Sequence, residues 1–512
     1  MESLRRILKM LIAFVTGQGV TVFSQLLIPP LFLHRSANGI VVYGEWITLS
    51  AAVSYFGSLN FGVQTYAANQ MSIHRNRGEL EECKRVQASA LRLLQWMMLA
   101  LLPIAGLIAL LPVARWLHLR TIGGREAKLV LELFVAQIFA LMVFSLFANS
   151  FMAVNRAHRG TNWNNGLRLA SAAVLAVLIW RRASFASMAA SQVSMTVLFG
   201  LLLMLDLHRT APELVPSPRY ASNEVMRGML KPSWHFTVLS LTGFLTWQAP
   251  ILLMQRVLGP AAVAVFALTR TVFTMSRQAL AVASYSIGPE ITSLVGRKDW
   301  KQLRRLYDLS ERIVLLLVPT VSVATLLASP WLLAVWLHRR SLYEPGLCML
   351  MALTSAAMGI KEHKYQFQSS SNQHADLSKV LFLAYGAVLL VSAITMRYFG
   401  VLGFMIAWLV AETAQTIAIV RMNKKMFPAD YGITAKPILR LTGVLSIVFA
   451  GAVYPAFQAP QESLPIILIV AVLYTLATAL LCYWVFGVSE VTQLVLGRWR
   501  HKSVAASASQ VG

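Results

Sequence analysis

Apolar runs of about twenty residues or more, separated by short polar connections, fill nearly the whole chain, and that is the length a helix needs to cross ~30 Å of hydrocarbon. The runs predict helices near 8–33, 40–70, 88–112, 127–153, 161–180, 184–206, 232–257, 259–290, 308–337, 344–370, 375–397, 399–421, 437–457 and 463–487. That makes about fourteen spans. Arg5, Arg6 and Lys9 precede the first run as in the n-region of a secretory signal. Its apolar stretch is too long for an h-region and no small-residue cleavage site follows, so it is expected to remain as the first span. An even number of spans puts both termini on one side.

The pattern starts again about halfway along. One constant offset lays residues 29–92 over 249–312, matching Pro30 with Pro250, Gly39 with Gly259, Arg77 with Arg297 and Glu79 with Asp299. Lys84 and Arg85 fall on Arg304 and Arg305, and Arg92 on Arg312. Each copy reads as a helix ending near a proline, a glycine turn, a long helix, a basic connection and another helix. Two such copies predict a seam between halves, where transporters bind cargo.

Composition agrees with the pattern. The chain is 57% hydrophobic and 13% charged, with a mean hydropathy of +0.62, against roughly a quarter charged in soluble domains. This is an all-α integral membrane protein. The formal net charge is +24. Lys and Arg gather on the N-terminal face by roughly two to one, which places both termini in the cytoplasm. Juxtamembrane cations that orient spans and meet anionic lipids account for most of that charge. Nucleic-acid binding needs a soluble basic face, and no soluble domain fits between the runs.

Catalysis finds little support. Cys83, Cys348 and Cys482 are isolated and lack redox or metal spacing. There is no P-loop, no glycine-rich nucleotide fingerprint and no His/Cys/Asp cluster of metal-ligand spacing, so neither a metal nor a cofactor is expected. The longest outer connection, Val113–Glu126, has Glu126 as its only carboxylate, too little for glycan chemistry.

Polar residues inside spans are costly, and they are the candidates that remain. Span two carries Glu45 near its outer end, then Asn60, Gln64, Asn69 and Gln70; span eight carries Arg270, Arg277, Gln278 and Glu290. Arg270 is placed ~15 Å deep, with Arg277 two turns further on the same face, a ladder suited to an anion. The alternative is an ion pair between Arg270 and Glu45 or another carboxylate, with Arg277 reaching to the interface. Glu412 and Gln415 in span twelve are read as ion coupling or packing, with Glu45 as a second coupling candidate. Gln18 and Gln25 are read chiefly as helix ties, and Lys361, Glu362, His363 and Lys364 as a solvated interfacial stretch.

The stretch Val42-Tyr43-Gly44-Glu45-Trp46, running on to Phe56-Gly57-Ser58-Leu59-Asn60-Phe61-Gly62, resembles the start of the Wzx-type O-antigen and exopolysaccharide flippases. So do Leu258-Gly259-Pro260 and Ile287-Gly288-Pro289-Glu290 in the second copy. That family belongs to the multidrug/oligosaccharidyl-lipid/polysaccharide (MOP) exporter superfamily. The resemblance covers about residues 8–430 and implies two six-helix lobes related by a parallel repeat around a central cavity, plus two C-terminal helices. The lobes would be 1–210 and 232–430, joined by a cytoplasmic linker at 211–231; spans 13–14 occupy 431–490, and 491–512 form a cytoplasmic tail. The implied activity is flipping of an undecaprenyl-diphosphate-linked oligosaccharide across the bacterial inner membrane for cell-surface polysaccharide. Arg270 and Arg277 would bind the diphosphate; Glu45, Asn60, Gln64 and Gln278 would line the cavity. H+ or Na+ would be the coupling ion, and polysaccharide assembly enzymes would be partners. Family members often carry basic residues inside the first span, and this chain has none between Lys9 and Arg35. A cation-coupled exporter of small molecules with the same fold and a non-transporting scaffold for glycan enzymes are the alternatives.

Overall fold

The computed structural model describes residues 2–488 except 36–37, 59–61, 286, 372–373 and 435. The described residues are helical or in short connections, with no strand among them. Among the described residues, eight helices are long and apolar enough to cross a membrane. The chain divides into two units, Met1–Val265 and Phe266–Gly512.

The first unit contains α1 (Glu2–Arg35), α2 (Gly39–Ser58), α3 (Val63–Asn76), α4 (Leu80–Leu110), the short α5 (Val113–Trp116), α6 (Gly124–Ser150), α7 (Ala157–Trp180), α8 (Phe185–Thr210), α9 (Asn223–Trp247) and α10 (Ala249–Leu258). Helix α11 (Pro260–Tyr285) starts here and continues into the second unit. Helix α6 is the hub, packing on α2, α3, α4, α7 and α8. Its buried positions Ala127, Val130, Leu131, Phe134 and Val135 follow the three-and-four spacing of a single helical face. A Cβ on Gly160 would lie 2.1 Å from the Ala148 carbonyl, so a side chain there would push α7 off α6.

In the second unit α12 (Gly288–Gly296), α13 (Trp300–Leu337), α14 (Pro345–Ser370), α15 (His374–Met426), α16 (Lys436–Gln458) and α17 (Leu464–Val485) follow. Helix α13 packs on α14, α16 and α17. At 51 residues, the apolar stretch Asp376–Met426 would run about 77 Å if straight, far beyond one crossing. It reverses at Gly400, whose φ of 56° and ψ of −142° suit glycine alone. Thr395 Oγ1 donates to the Gly403 carbonyl at 3.1 Å, which only a hairpin allows. Helix α17 shows Leu473, Leu476, Leu480 and Trp484 outward. Such a face suits hydrocarbon.

The basic connections matched in the sequence share a backbone pattern. Gly78 and Lys298 are both left-handed, with φ of 81° and 56°. Each is followed by the acidic residue that begins the next helix, Glu79 and Asp299. Glu79 N donates to His74 O and Cys83 N to Glu79 O; Asp299 N donates to Leu294 O and Leu303 N to Asp299 O, at the same spacings.

Candidate functional site

Glu45 is fully buried in α2. Its carboxylate accepts from the backbone amide of Arg120, from the amide of Thr121 at 3.1 Å and from the Thr121 hydroxyl. One turn along, Thr48 Oγ1 donates to Gln255 Oε1 at 3.0 Å, and Gln255 Nε2 donates to the Leu117 carbonyl at 2.6 Å. Two side chains from α2 and α10 thus fasten the loop between α5 and α6. In this conformation the donors to Glu45 belong to a loop backbone and a hydroxyl. Gln64 is buried and donates to the Met142 carbonyl at 3.4 Å. Asn60 lies outside the described residues.

Arg270, Arg277 and Gln278 are half-buried on α11. The Arg270 guanidinium lies 5.4 Å from the centre of the Phe266 ring, one turn back. Arg277 forms an ion pair with Glu362 of α14. Arg277 therefore bridges two helices of one unit, where the sequence offered a rung of an anion ladder or, as the alternative, a reach to the interface.

The neighbours of Glu362 correct the sequence reading. Lys361, His363 and Lys364 are 6%, 0% and 1% exposed, buried where a solvated stretch was expected. The reason is supplied by helices distant in the chain. Lys361 Nζ lies 2.5 Å from Glu412 Oε2 and donates to the Tyr385 hydroxyl at 2.7 Å and to Gln415 Oε1 at 3.2 Å. Glu412 Oε1 accepts from Tyr385 at 2.7 Å and from Trp408 Nε1 at 3.0 Å. Lys364 pairs with Glu311 of α13 and lies 4.2 Å from the Tyr307 ring centre. His363 Nε2 shares a 2.8 Å hydrogen bond with Ser310. Gln368 donates to Asn423, which donates to the Lys364 carbonyl. Each cation has a carboxylate within contact, which is what makes burial of both tolerable.

The sequence reading also passed over Arg168. It sits in the middle of α7, about 17 Å from either end at helical rise, yet it is exposed. It borders a cleft of about 640 Å³ inside the first unit, walled by α1, α6, α7 and α8. A single arginine within an apolar run was the available signal. Gln25, read as a helix tie, lines the same cleft. Among the described residues no group of His, Cys, Asp and Glu could hold a metal ion.

No family model matches the sequence, and neither does any curated protein. Similarity emerges in three dimensions. The chain resembles the lipid II flippase MurJ in an inward closed conformation, with a TM-score of 0.69 at 11% identity, covering 94% of this chain and 100% of that one. It resembles an inward-facing multidrug resistance transporter of the MATE family, MOP superfamily, with a TM-score of 0.63 at 12% identity over 83% of this chain and 95% of that one. A MOP superfamily transporter from Pyrococcus furiosus, whose binding pocket of reverse polarity suggests a different function for it, gives 0.53 at 12% identity over 82% and 95%. At such identities likeness speaks for the fold, and the fold is that of the MOP-superfamily transporters.

Proposed function

We propose that the chain flips an undecaprenyl-diphosphate-linked oligosaccharide from the inner to the outer leaflet of the bacterial cytoplasmic membrane by alternating access, for cell-surface polysaccharide. Both termini would lie in the cytoplasm. Fourteen spans would form two six-helix lobes related by a parallel repeat around a central cavity, with two further helices at the C-terminal end. The matched turns at Gly78 and Lys298 support the repeat.

The observation that carries this reading is the sign of the charge the spans leave over. Every buried or nearly buried carboxylate described in them is already met: Glu45 by loop amides, Glu311 by Lys364, Glu362 by Arg277 and Glu412 by Lys361. Asp206 of α8 pairs with Arg159 and Asp308 of α13 with Arg304, while Glu132 is exposed on α6. Arg168, by contrast, faces a polar cleft with no carboxylate in its lining. A site for cationic drugs wants free carboxylates; a diphosphate wants guanidinium forks, which bind it in bidentate fashion. Arg270 is assigned to the diphosphate, with Arg277 able to join by exchanging its bond to Glu362.

Reconstitution into liposomes with fluorescent lipid-linked oligosaccharide tests the proposal. Leaflet transfer supports it. Efflux of cationic dye without lipid transfer makes the chain an exporter, and silence in both assays makes it a scaffold.

A further inference from the structure

The cleft in the first unit is built from four helical faces that agree with one another. Asn164, Arg168 and Ser171 line it from α7 at spacings of four and three; Thr21, Ser24 and Gln25 line it from α1 in the same way. Gln137 of α6 and Gln192 of α8 complete the polar wall, while Ile28, Leu141 and Leu175 give it an apolar side. Gln137 and Arg168 fall at the middle of α6 and α7, so the polar groups of these two helices meet at mid-depth. Its volume of about 640 Å³ lies within the range of small-ligand sites.

The hydrogen bonds inside it are unfinished. Gln25 Oε1 is buried and accepts nothing. Among the described residues the Arg168 guanidinium makes a single hydrogen bond, from Nη1 to Thr21 Oγ1 at 3.1 Å, and no ion pair. Guanidinium offers five donors, and at mid-bilayer it is costly unless it meets water or a ligand. No residue of the lining is acidic, so a coupling cation has no counter-charge here.

We propose that this cleft binds a hydroxyl-rich group bearing negative charge, with Arg168 holding the anion and the amides of Gln25, Gln137, Asn164 and Gln192 meeting hydroxyls. The apolar side would take the CH face of a sugar ring. Two parts of a lipid-linked glycan place negative charge beside hydroxyls, an acidic sugar and the diphosphate together with the sugar it carries. The identity of the ligand rests on the flippase reading; binding itself is read without transport.

The test uses the full chain in lipid nanodiscs carrying Ser24→Cys, with maleimide labelling rate as readout. The native cysteines are buried, so the unsubstituted chain gives the background. A galacturonate trimer, inorganic diphosphate and neutral maltotriose are the probes. We expect one or both anions to slow labelling about tenfold and maltotriose to have far less effect, as loss of a charge-assisted fork predicts. Protection by the trimer alone assigns the sugar, and protection by diphosphate alone assigns the linker. Arg168→Gln should abolish protection and Arg168→Lys should weaken it. No protection by either anion, equal protection by maltotriose, or protection unchanged in Arg168→Gln overturns the site. If Ser24→Cys fails to fold, Ser171→Cys replaces it as reporter, and if Arg168→Gln fails, Arg168→Lys carries the comparison. Protection without leaflet transfer would sink the flippase reading and leave the site standing; transfer without protection would do the reverse.

Discussion

Removing one partner of the Lys361–Glu412 pair should damage the protein more than removing both. The Lys361 and Glu412 side chains are 8% and 0% exposed, and Tyr385 and Trp408 also direct donors at Glu412. Glu412→Leu leaves a buried ammonium beside an indole N–H and a phenol with no acceptor. Breaking a buried pair costs about 3–5 kcal/mol, and an orphaned buried donor about 1–3 more, offset as Lys361 sheds its proton; a net loss of about 4 kcal/mol results. Lys361→Met should lose about 3 kcal/mol, because the remaining carboxylate keeps two donors. With both charges gone, Lys361→Met/Glu412→Leu should recover to within about 1–2 kcal/mol of the parent. Unfolding by SDS in mixed micelles, followed by tryptophan fluorescence, reads all three. A double variant as unstable as the sum of the singles would refute the reasoning. Transport then separates stability from coupling: a stable double variant that still flips lipid excludes Glu412 as the coupling carboxylate.

Glu45→Ala should lower stability by about 2 kcal/mol by releasing the loop amides, and Glu45→Gln by less, as shown by the same unfolding assay. If Glu45→Gln keeps normal transport and normal pH dependence, Glu45 anchors the loop and does not couple protons. Arg270→Ala should abolish lipid transfer with protein still in the membrane, and Arg270→Lys should impair it despite the retained charge; wild-type transfer in both would remove Arg270 from the cargo site. For topology, Arg77→Cys and Arg297→Cys should resist an impermeant thiol reagent added outside spheroplasts and react once cells are opened. Both positions are exposed and flank the left-handed residues Gly78 and Lys298, so the turns themselves stay intact.

Periodicity made the helices legible, because a run long enough to span is rarely anything else. The turn between the predicted helices 375–397 and 399–421 falls on Gly400, since a glycine was the cheapest place to reverse. The environment of Lys361–Lys364 was not legible. A basic stretch at a helix end looks solvated until its carboxylates are found, and Glu311 and Glu412 come from helices about fifty residues away in sequence. Glu45 was recognisable as an expensive residue, but its partners are backbone amides, which carry no sequence signature. Arg168 could have been found, being the one charge within the predicted span 161–180. Reading arginines only where a repeat or a family resemblance pointed hid it.

Three buried or nearly buried ion pairs of the second unit, Arg277–Glu362, Lys361–Glu412 and Lys364–Glu311, each sum to zero charge when ionised. Displacing one elementary charge through the membrane field costs about 2.3 kcal/mol per 100 mV. Pairs that move as bodies contribute only the small difference between the paths of their two charges. Motion of these pairs is therefore nearly silent electrically, and membrane voltage finds little to act on in them. Any dependence of the rate on membrane potential would then report on charge outside these pairs, Arg270 and Arg168 among it, and on the cargo they would hold.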